Sequence, residues 1–116
     1  MTLKKARKLT DPDKIREVVR MANADVKMHI AFDKYTPDDV LKQLAYDADG
    51  EVAGWAMSNP RLDIKTLYSL LEDSLAAQYF MVKREDATNE MLQKLLKLTE
   101  SEKIIDDILK HPNFTE

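Results

Sequence analysis

Apolar residues recur three and four positions apart along most of the chain, and no segment alternates apolar and polar residues as a strand would. Helix starts are indicated by capping residues followed by early acidic side chains, at Asp11, Thr36, Thr88 and Thr99. Thr99 together with Glu102 fits a capping box. The pattern predicts eight short helices, near residues 12–23, 24–33, 37–47, 50–58, 62–72, 74–84, 88–98 and 101–110.

The predicted helices form a repeating pattern. Ile15, Leu41, Leu67 and Leu92 lie 26, 26 and 25 residues apart, and each begins the same i, i+3, i+4 apolar stripe. The second helices repeat as well, in three aligned sets: Val26, Val52, Ala77 and Ile104; Ile30, Ala56, Met81 and Ile108; Ala31, Met57, Val82 and Leu109. Because one helical pair cannot bury its own stripe, stacked pairs are needed to form a continuous core.

This period predicts an all-α fold, a short right-handed α-solenoid of about four helical-pair repeats. We expect one helical-repeat domain over residues 1–116, with units at about 10–35, 36–60, 61–86 and 87–116. Residues 1–9 form a basic segment ahead of the first unit.

The second unit carries a recognisable motif. Val52, Ala56 and Asn59-Pro60 end one helix, Thr36-Pro37 with Leu41 begins another, and the acidic loop 47–50 lies between them. This arrangement resembles the variant leucine-rich repeat, a relative of HEAT-like helical repeats. The resemblance implies an interaction scaffold and leaves the ligand open, since some HEAT-like proteins bind nucleic acid. The cysteine-rich iron–sulfur region that can accompany such repeats does not carry over, because the chain has no cysteine.

The candidate binding site is a column on the second helices. The two positions after the aligned valine are often solvent-facing arginines in that family, whereas here they are mostly uncharged. We expect the concave second-helix face to bind a partner through these residues: Lys27, Met28, Ala53, Gly54, Gln78, Tyr79 and Ile105. An exposed apolar ladder of this kind is a recognisable interaction surface.

Neighbouring positions have alternative interpretations. A glycine inside a helix costs about 1 kcal/mol relative to alanine, so Gly54 indicates either close helix packing or close approach of a partner backbone. Met28 and Tyr79 could also cover the edges of the core. The next column along the helices contains His29 and Trp55, and we expect Trp55 to pack into the core.

Charge is unevenly distributed along the chain. The net charge is −3, but residues 1–30 contain 8 basic and 4 acidic side chains, while the remainder is acidic. An acidic body repels phosphate, so nucleic acid ranks below protein as a partner. The basic residues Lys4, Lys5, Arg7 and Lys8 are the candidate contact for nucleic acid or an acidic partner. No apolar stretch is long enough for a membrane span or a secretory signal, so we expect a cytoplasmic protein without a membrane partner.

Catalytic and metal-binding patterns are missing from the sequence. Zero cysteines and two histidines leave little for a metal site, and no glycine-rich phosphate loop is present. We therefore expect no cofactor, no metal and no enzymatic activity. The sequence favours a small adaptor or inhibitor, and an array this short is an expected form of a phage or bacterial factor that acts on a larger machine. The alternatives are a nucleic-acid accessory protein that uses the basic segment, and a homodimer formed through the apolar column.

Overall fold

A computed structural model describes residues 10–116, and this part of the chain is helical without strands. Its eight helices are α1 Pro12–Met21, α2 Ala24–Phe32, α3 Asp38–Ala45, α4 Gly50–Ser58, α5 Ile64–Leu70, α6 Leu75–Lys83, α7 Asn89–Leu98 and α8 Glu102–Leu109. Every helix overlaps the one expected at that place, so the all-α prediction is confirmed. Residues 1–9, the predicted basic segment, lie outside the described part of the chain.

The helix starts are mostly made by short polar side chains. Asp11, Asn23 and Asp49 cap α1, α2 and α4 by accepting a hydrogen bond from a backbone N–H of the first turn. The prediction of a capping box at Thr99 is wrong, because Ser101 caps α8 and Thr99 ends α7. Helix α3 begins after Pro37 and has no side-chain cap.

Thr36 has a different role from the one its position suggests. It is fully buried, and its hydroxyl donates to the carbonyl oxygen of Ile30 at 2.5 Å. The hydroxyl thus ties the loop before α3 to the end of α2.

The core follows the apolar stripes of the sequence. The first-helix stripe beginning at Ile15 and its counterparts beginning at Leu41 and Leu67 are buried throughout, as are nearly all the aligned second-helix positions. Two positions differ from the expectation: Leu96 is half-buried and Leu109 is 55% exposed. Both lie in the last helical pair, where the expected stripe is therefore incomplete.

The described residues divide into two compact units, the first ending at Asp63 and the second running from Ile64 to Glu116. In the first unit, α2 packs against α1, α3 and α4, and α3 packs against α4. In the second unit, α5 packs against α6, α7 against α8, and α6 against α8. Each unit thus contains two helical pairs whose second helices are neighbours.

A buried asparagine fixes the corner of the first unit. Asn59, 4% exposed, donates from Nδ2 to the carbonyl oxygens of Ala31 at 2.9 Å and Asp33 at 3.2 Å. Its Oδ1 accepts the backbone N–H of Arg61 at 2.9 Å. One side chain therefore satisfies two carbonyl groups at the end of α2 and one N–H in the turn after α4.

A histidine occupies the equivalent corner of the second unit. His111 Nδ1 accepts the backbone N–H of Asn113 at 3.0 Å, and Nε2 lies 2.8 Å from the carbonyl oxygen of Arg84. Since Nδ1 is the acceptor, Nε2 carries the proton and donates. His111 therefore repeats the donor and acceptor arrangement of Asn59, and both residues precede a proline.

Candidate functional site

The residues expected to form a binding column are unequally exposed. Ala53 and Gln78 are each 6% exposed, so their side chains face the interior and are not available at the surface. Tyr79 is 46% exposed. The other members are half-buried: Lys27, Met28, Gly54 and Ile105.

Two of the buried or half-buried side chains have internal partners. Gln78 donates from Nε2 to the carbonyl oxygen of Leu71 at 2.9 Å. Lys27 pairs with Asp47 at 3.2 Å, and Asp49 donates its backbone N–H to the same carboxylate at 2.8 Å. The hydrogen bond from Asp49, with a smaller contribution from Lys27, holds the pKa of Asp47 below its usual value, although burial acts in the opposite direction.

On α2 and α4 the most exposed aromatic side chains, Phe32 and Trp55, lie outside the expected column, whereas on α6 the exposed Tyr79 belongs to it. Trp55 comes directly after the expected pair Ala53 and Gly54. Trp55 is 45% exposed and Phe32 is 64% exposed, so the expectation that Trp55 belongs to the core is wrong. The error is one of helical phase: a shift of one residue turns a helix by roughly 100°, which exchanges half-buried and exposed positions.

The structure removes one of the two interpretations of Gly54. A Cβ built at this glycine meets no atom within 4 Å, so close packing of a neighbouring helix does not explain it. The space above the glycine is open.

Phe32 and Trp55 form an aromatic pair across the two neighbouring helices of the first unit. Their ring centroids are 5.3 Å apart and their planes are almost perpendicular, at 89°, which is the edge-to-face geometry that aromatic quadrupoles favour. The pair lies in an open pocket of about 350 Å³ that is also lined by Met28, His29 and Asp25. We call this the aromatic pocket.

A second depression shares residues with the aromatic pocket. It has a volume of about 580 Å³, includes His29 and Phe32, and reaches the corner at Asn59 and Pro60. The two depressions therefore adjoin each other at His29 and Phe32.

The second unit has a depression at the equivalent corner, with a different lining. Aligning the second helices puts Lys83 at the position of Phe32 and Asp107 at the position of Trp55. Lys103 hydrogen-bonds Asp107 at 2.7 Å and, with weaker contributions from Lys83 and Lys110, holds its pKa below the usual value. Where the first unit has an aromatic pair, the second unit has opposite charges.

The second unit carries an aromatic pair, exposed Tyr79 and half-buried Phe80, one turn away from that corner. Tyr79 and Phe80 also meet edge to face, with centroids 5.2 Å apart. The ammonium of Lys83 lies 5.2 Å from the centre of the Tyr79 ring, within the range of a cation–π contact. This aromatic surface is thus already covered in part by a cation of the same unit.

Other chemistry is sparse in residues 10–116. This part of the chain contains no group of three or more His, Asp or Glu side chains that could hold a metal ion. None of its helices combines the length and the apolar character that crossing a membrane requires. Lys4, Lys5, Arg7 and Lys8, the candidate contacts for nucleic acid, lie outside the described residues.

Comparison with known proteins gave no match, whether against family models, curated proteins or solved structures. The resemblance to variant leucine-rich and HEAT-like repeats therefore stays a prediction from the sequence motif.

Proposed function

We propose that the chain is a non-catalytic protein-binding module whose partner contacts the aromatic pocket on α2 and α4. Its scaffold in this proposal is a short right-handed α-solenoid of helical pairs, similar to variant leucine-rich and HEAT-like repeats. The binding face includes Met28 and Gly54 from the column predicted by the sequence. Phe32 and Trp55 replace the buried Ala53 as its main contacts.

One observation carries the proposal, the exposure of Phe32 and Trp55. Exposed tryptophan and phenylalanine side chains leave a large apolar area in water, which costs roughly 25 cal/mol per Å² compared with burial. The equivalent positions of the second unit are occupied by Lys83 and Asp107, so this corner of a helical pair folds without aromatic residues. Since local packing does not require the aromatic pair, we infer that a partner covers it.

Repetition within the chain supports the solenoid part of the proposal. Both units are built from two helical pairs with neighbouring second helices, and both corners use a side chain that donates to backbone carbonyl oxygen and accepts a backbone N–H. Asn59 and His111 achieve this with different chemistry. The same bonding role at equivalent positions supports a repeated structural unit.

The lining of the pocket supports a binding role over a catalytic one. The lining of the aromatic pocket has no hydroxyl or thiol beside His29, and Ser58 of the adjoining depression donates its hydroxyl to the carbonyl oxygen of Trp55 at 2.7 Å. Nucleophilic catalysis needs such a group within hydrogen-bond reach of a base. Large apolar side chains in an open recess are instead typical of anchor points for a partner.

A peptide selection tests the proposal while the natural partner is still unidentified. The purified full chain is used to select binders from a random peptide library, and the enriched peptides are then measured against variants. The double variant Phe32→Lys/Trp55→Asp introduces the residue types found at the equivalent positions of the second unit, so we expect it to fold. Tyr35→Lys is the matched control, because Tyr35 is an equally exposed aromatic residue that does not line the pocket.

We expect enriched peptides that bind the wild-type chain and Tyr35→Lys with similar affinity and lose binding to the double variant. Circular dichroism and thermal melting of the variants show that they remain folded. Failure to enrich any peptide, or equal binding to the folded double variant, would contradict the proposal.

A further inference from the structure

The aromatic pocket has a carboxylate on its edge, and no lysine or arginine of residues 10–116 lines it. Asp25 lines the pocket together with Trp55, Phe32 and Met28. The side chain of Asp25 is exposed, and no lysine or arginine in residues 10–116 forms an ion pair with it. An unpaired carboxylate beside an apolar recess attracts a cationic group more strongly than one in open water, because the recess excludes part of the solvent.

The aromatic rings give a second indication that the aromatic pocket prefers a cationic ligand. Three tyrosines have a lysine ammonium over the ring: Tyr35 with Lys34 at 5.3 Å, Tyr79 with Lys83 at 5.2 Å, and Tyr68 with Lys94 at 4.7 Å. Trp55 has no lysine or arginine over its ring among the described residues, although indole attracts cations more strongly than phenol does. The ring type that attracts cations most strongly is therefore left without a lysine or arginine from residues 10–116.

The second unit shows that these features belong to the first unit alone. The position equivalent to Asp25 is Ala76, and the positions equivalent to Phe32 and Trp55 hold Lys83 and Asp107. Lys83 there acts on both Tyr79 and Asp107. In the second unit Lys83 thus provides the positive charge that no lysine or arginine of residues 10–116 provides to the aromatic pocket.

We propose that the aromatic pocket binds a peptide segment of another protein that places an arginine or lysine beside a large apolar side chain. The cation lies against Trp55 and pairs with Asp25, while the apolar side chain packs on Met28 and Phe32. This inference rests on the proposed function, because it specifies the chemistry of the partner at the same site. Charge complementarity selects this occupant: an acidic segment would be repelled by Asp25, and an uncharged one would leave it unpaired.

The open space above Gly54 fits the same occupant. Gly54 precedes Trp55 on α4, and nothing within 4 Å occupies the volume where its side chain would be. A peptide backbone can therefore approach α4 closely at this point, next to the ring that receives the cation.

The test uses two defined peptides and a labelled-peptide anisotropy readout. The first is an amphipathic peptide with arginine and leucine on one face, and the second has glutamate at each arginine position. Binding is measured to the full wild-type chain, to Asp25→Asn, and to Glu17→Gln as a matched control that removes an exposed carboxylate of α1 away from the pocket. Melting temperatures are recorded for each variant, because Asp25 also lies in the first turn of α2.

We expect the arginine peptide to bind and the glutamate peptide to fail. Asp25→Asn should weaken binding roughly twofold to fivefold at low salt, and Glu17→Gln should leave it unchanged. The loss caused by Asp25→Asn should shrink as salt is added, because salt screens the charge interaction.

Three results would overturn the inference, and they bear differently on the proposed function. Equal binding of both peptides, lost in Phe32→Lys/Trp55→Asp, would reject the cation preference and leave the protein-binding face standing. Absence of binding by either peptide, combined with an empty peptide selection, would reject both. A concentration-dependent dimer that blocks access to Trp55 would show that a second copy of this chain is the occupant.

Discussion

The corner asparagine offers the most quantitative test of the fold. Replacing Asn59 with alanine removes two bonds donated by Nδ2 and one accepted by Oδ1, at a site only 4% exposed. Each such hydrogen bond contributes about 0.5 to 1.5 kcal/mol, and backbone groups left buried without a partner add to the cost. We expect Asn59→Ala to lower the free energy of unfolding by about 2 to 4 kcal/mol.

Asn59→Asp separates the hydrogen bonds from packing, because the two side chains have almost the same shape. Aspartate keeps the acceptor for Arg61 N–H but turns the donor into an oxygen that faces the carbonyls of Ala31 and Asp33. Burying a carboxylate against two carbonyl oxygens is more costly than deleting the side chain. Urea unfolding followed by circular dichroism should therefore rank Asn59→Asp below Asn59→Ala in stability at neutral pH.

The equivalent corner of the second unit provides the control. His111→Asn retains one donor and one acceptor and should cost less than about 1 kcal/mol, whereas His111→Ala loses both and should cost about 1 to 2 kcal/mol. The reasoning would be refuted if Asn59→Asp were as stable as the wild-type chain, or if His111→Asn were no more stable than His111→Ala.

Further predictions concern single positions. Gly54→Ala should stabilise the chain by up to about 1 kcal/mol, because the new methyl group has open space and helix propensity rises; unchanged or lower stability in urea would contradict this. Ser74→Ala should cost about 1 kcal/mol in the same assay, because the hydroxyl caps α6 by accepting the N–H of Ala77 at 3.1 Å; a neutral result would show that the cap contributes nothing. Asp47→Asn tests a pH dependence: since folding lowers the pKa of Asp47, its contribution is complete above the unfolded value of about 3.9 and is lost as the pH falls through the lower folded pKa. The stability difference between Asp47→Asn and the wild-type chain should thus be largest above about pH 5 and vanish in acid, and a difference independent of pH would contradict it.

The helices and most of the core could be predicted because they depend on local pattern. The apolar stripe at Ile15 and its repeats is set by the 3.6-residue period, and caps such as Asp11 and Thr88 act within one turn. Thr99 was misassigned because Thr99 and Ser101 are both capping residues two positions apart. Local sequence does not determine which of the two begins α8. Because α7 ends at Thr99, Ser101 is left as the cap of α8.

The site was harder to predict, since exposure depends on helical phase and on which helix lies alongside. Ala53 and Trp55 are both apolar and only two residues apart, but one is buried and the other is 45% exposed. The comparison of Trp55 with Asp107 at the equivalent position of the repeat was the available signal. A position that is aromatic in one repeat and charged in another is one that the core does not require to be apolar.

The contact between Phe32 and Trp55 lay beyond the sequence pattern altogether. The two rings are 23 residues apart in the chain and meet because α2 and α4 are neighbours. The role of Asn59 has the same origin, since its partners Ala31 and Asp33 belong to the end of an earlier helix. Such contacts follow from packing between helical pairs, which a motif indicates only in outline.

The most direct measurement of the central claim is acrylamide quenching of tryptophan fluorescence, because Trp55 is the single tryptophan of the chain. We predict efficient quenching in the free protein, as expected for an indole that is 45% exposed, and strong protection when a selected peptide is bound. Protection of Trp55 in the free protein, or quenching that bound peptide leaves unchanged, would contradict the assignment of this face as the binding site.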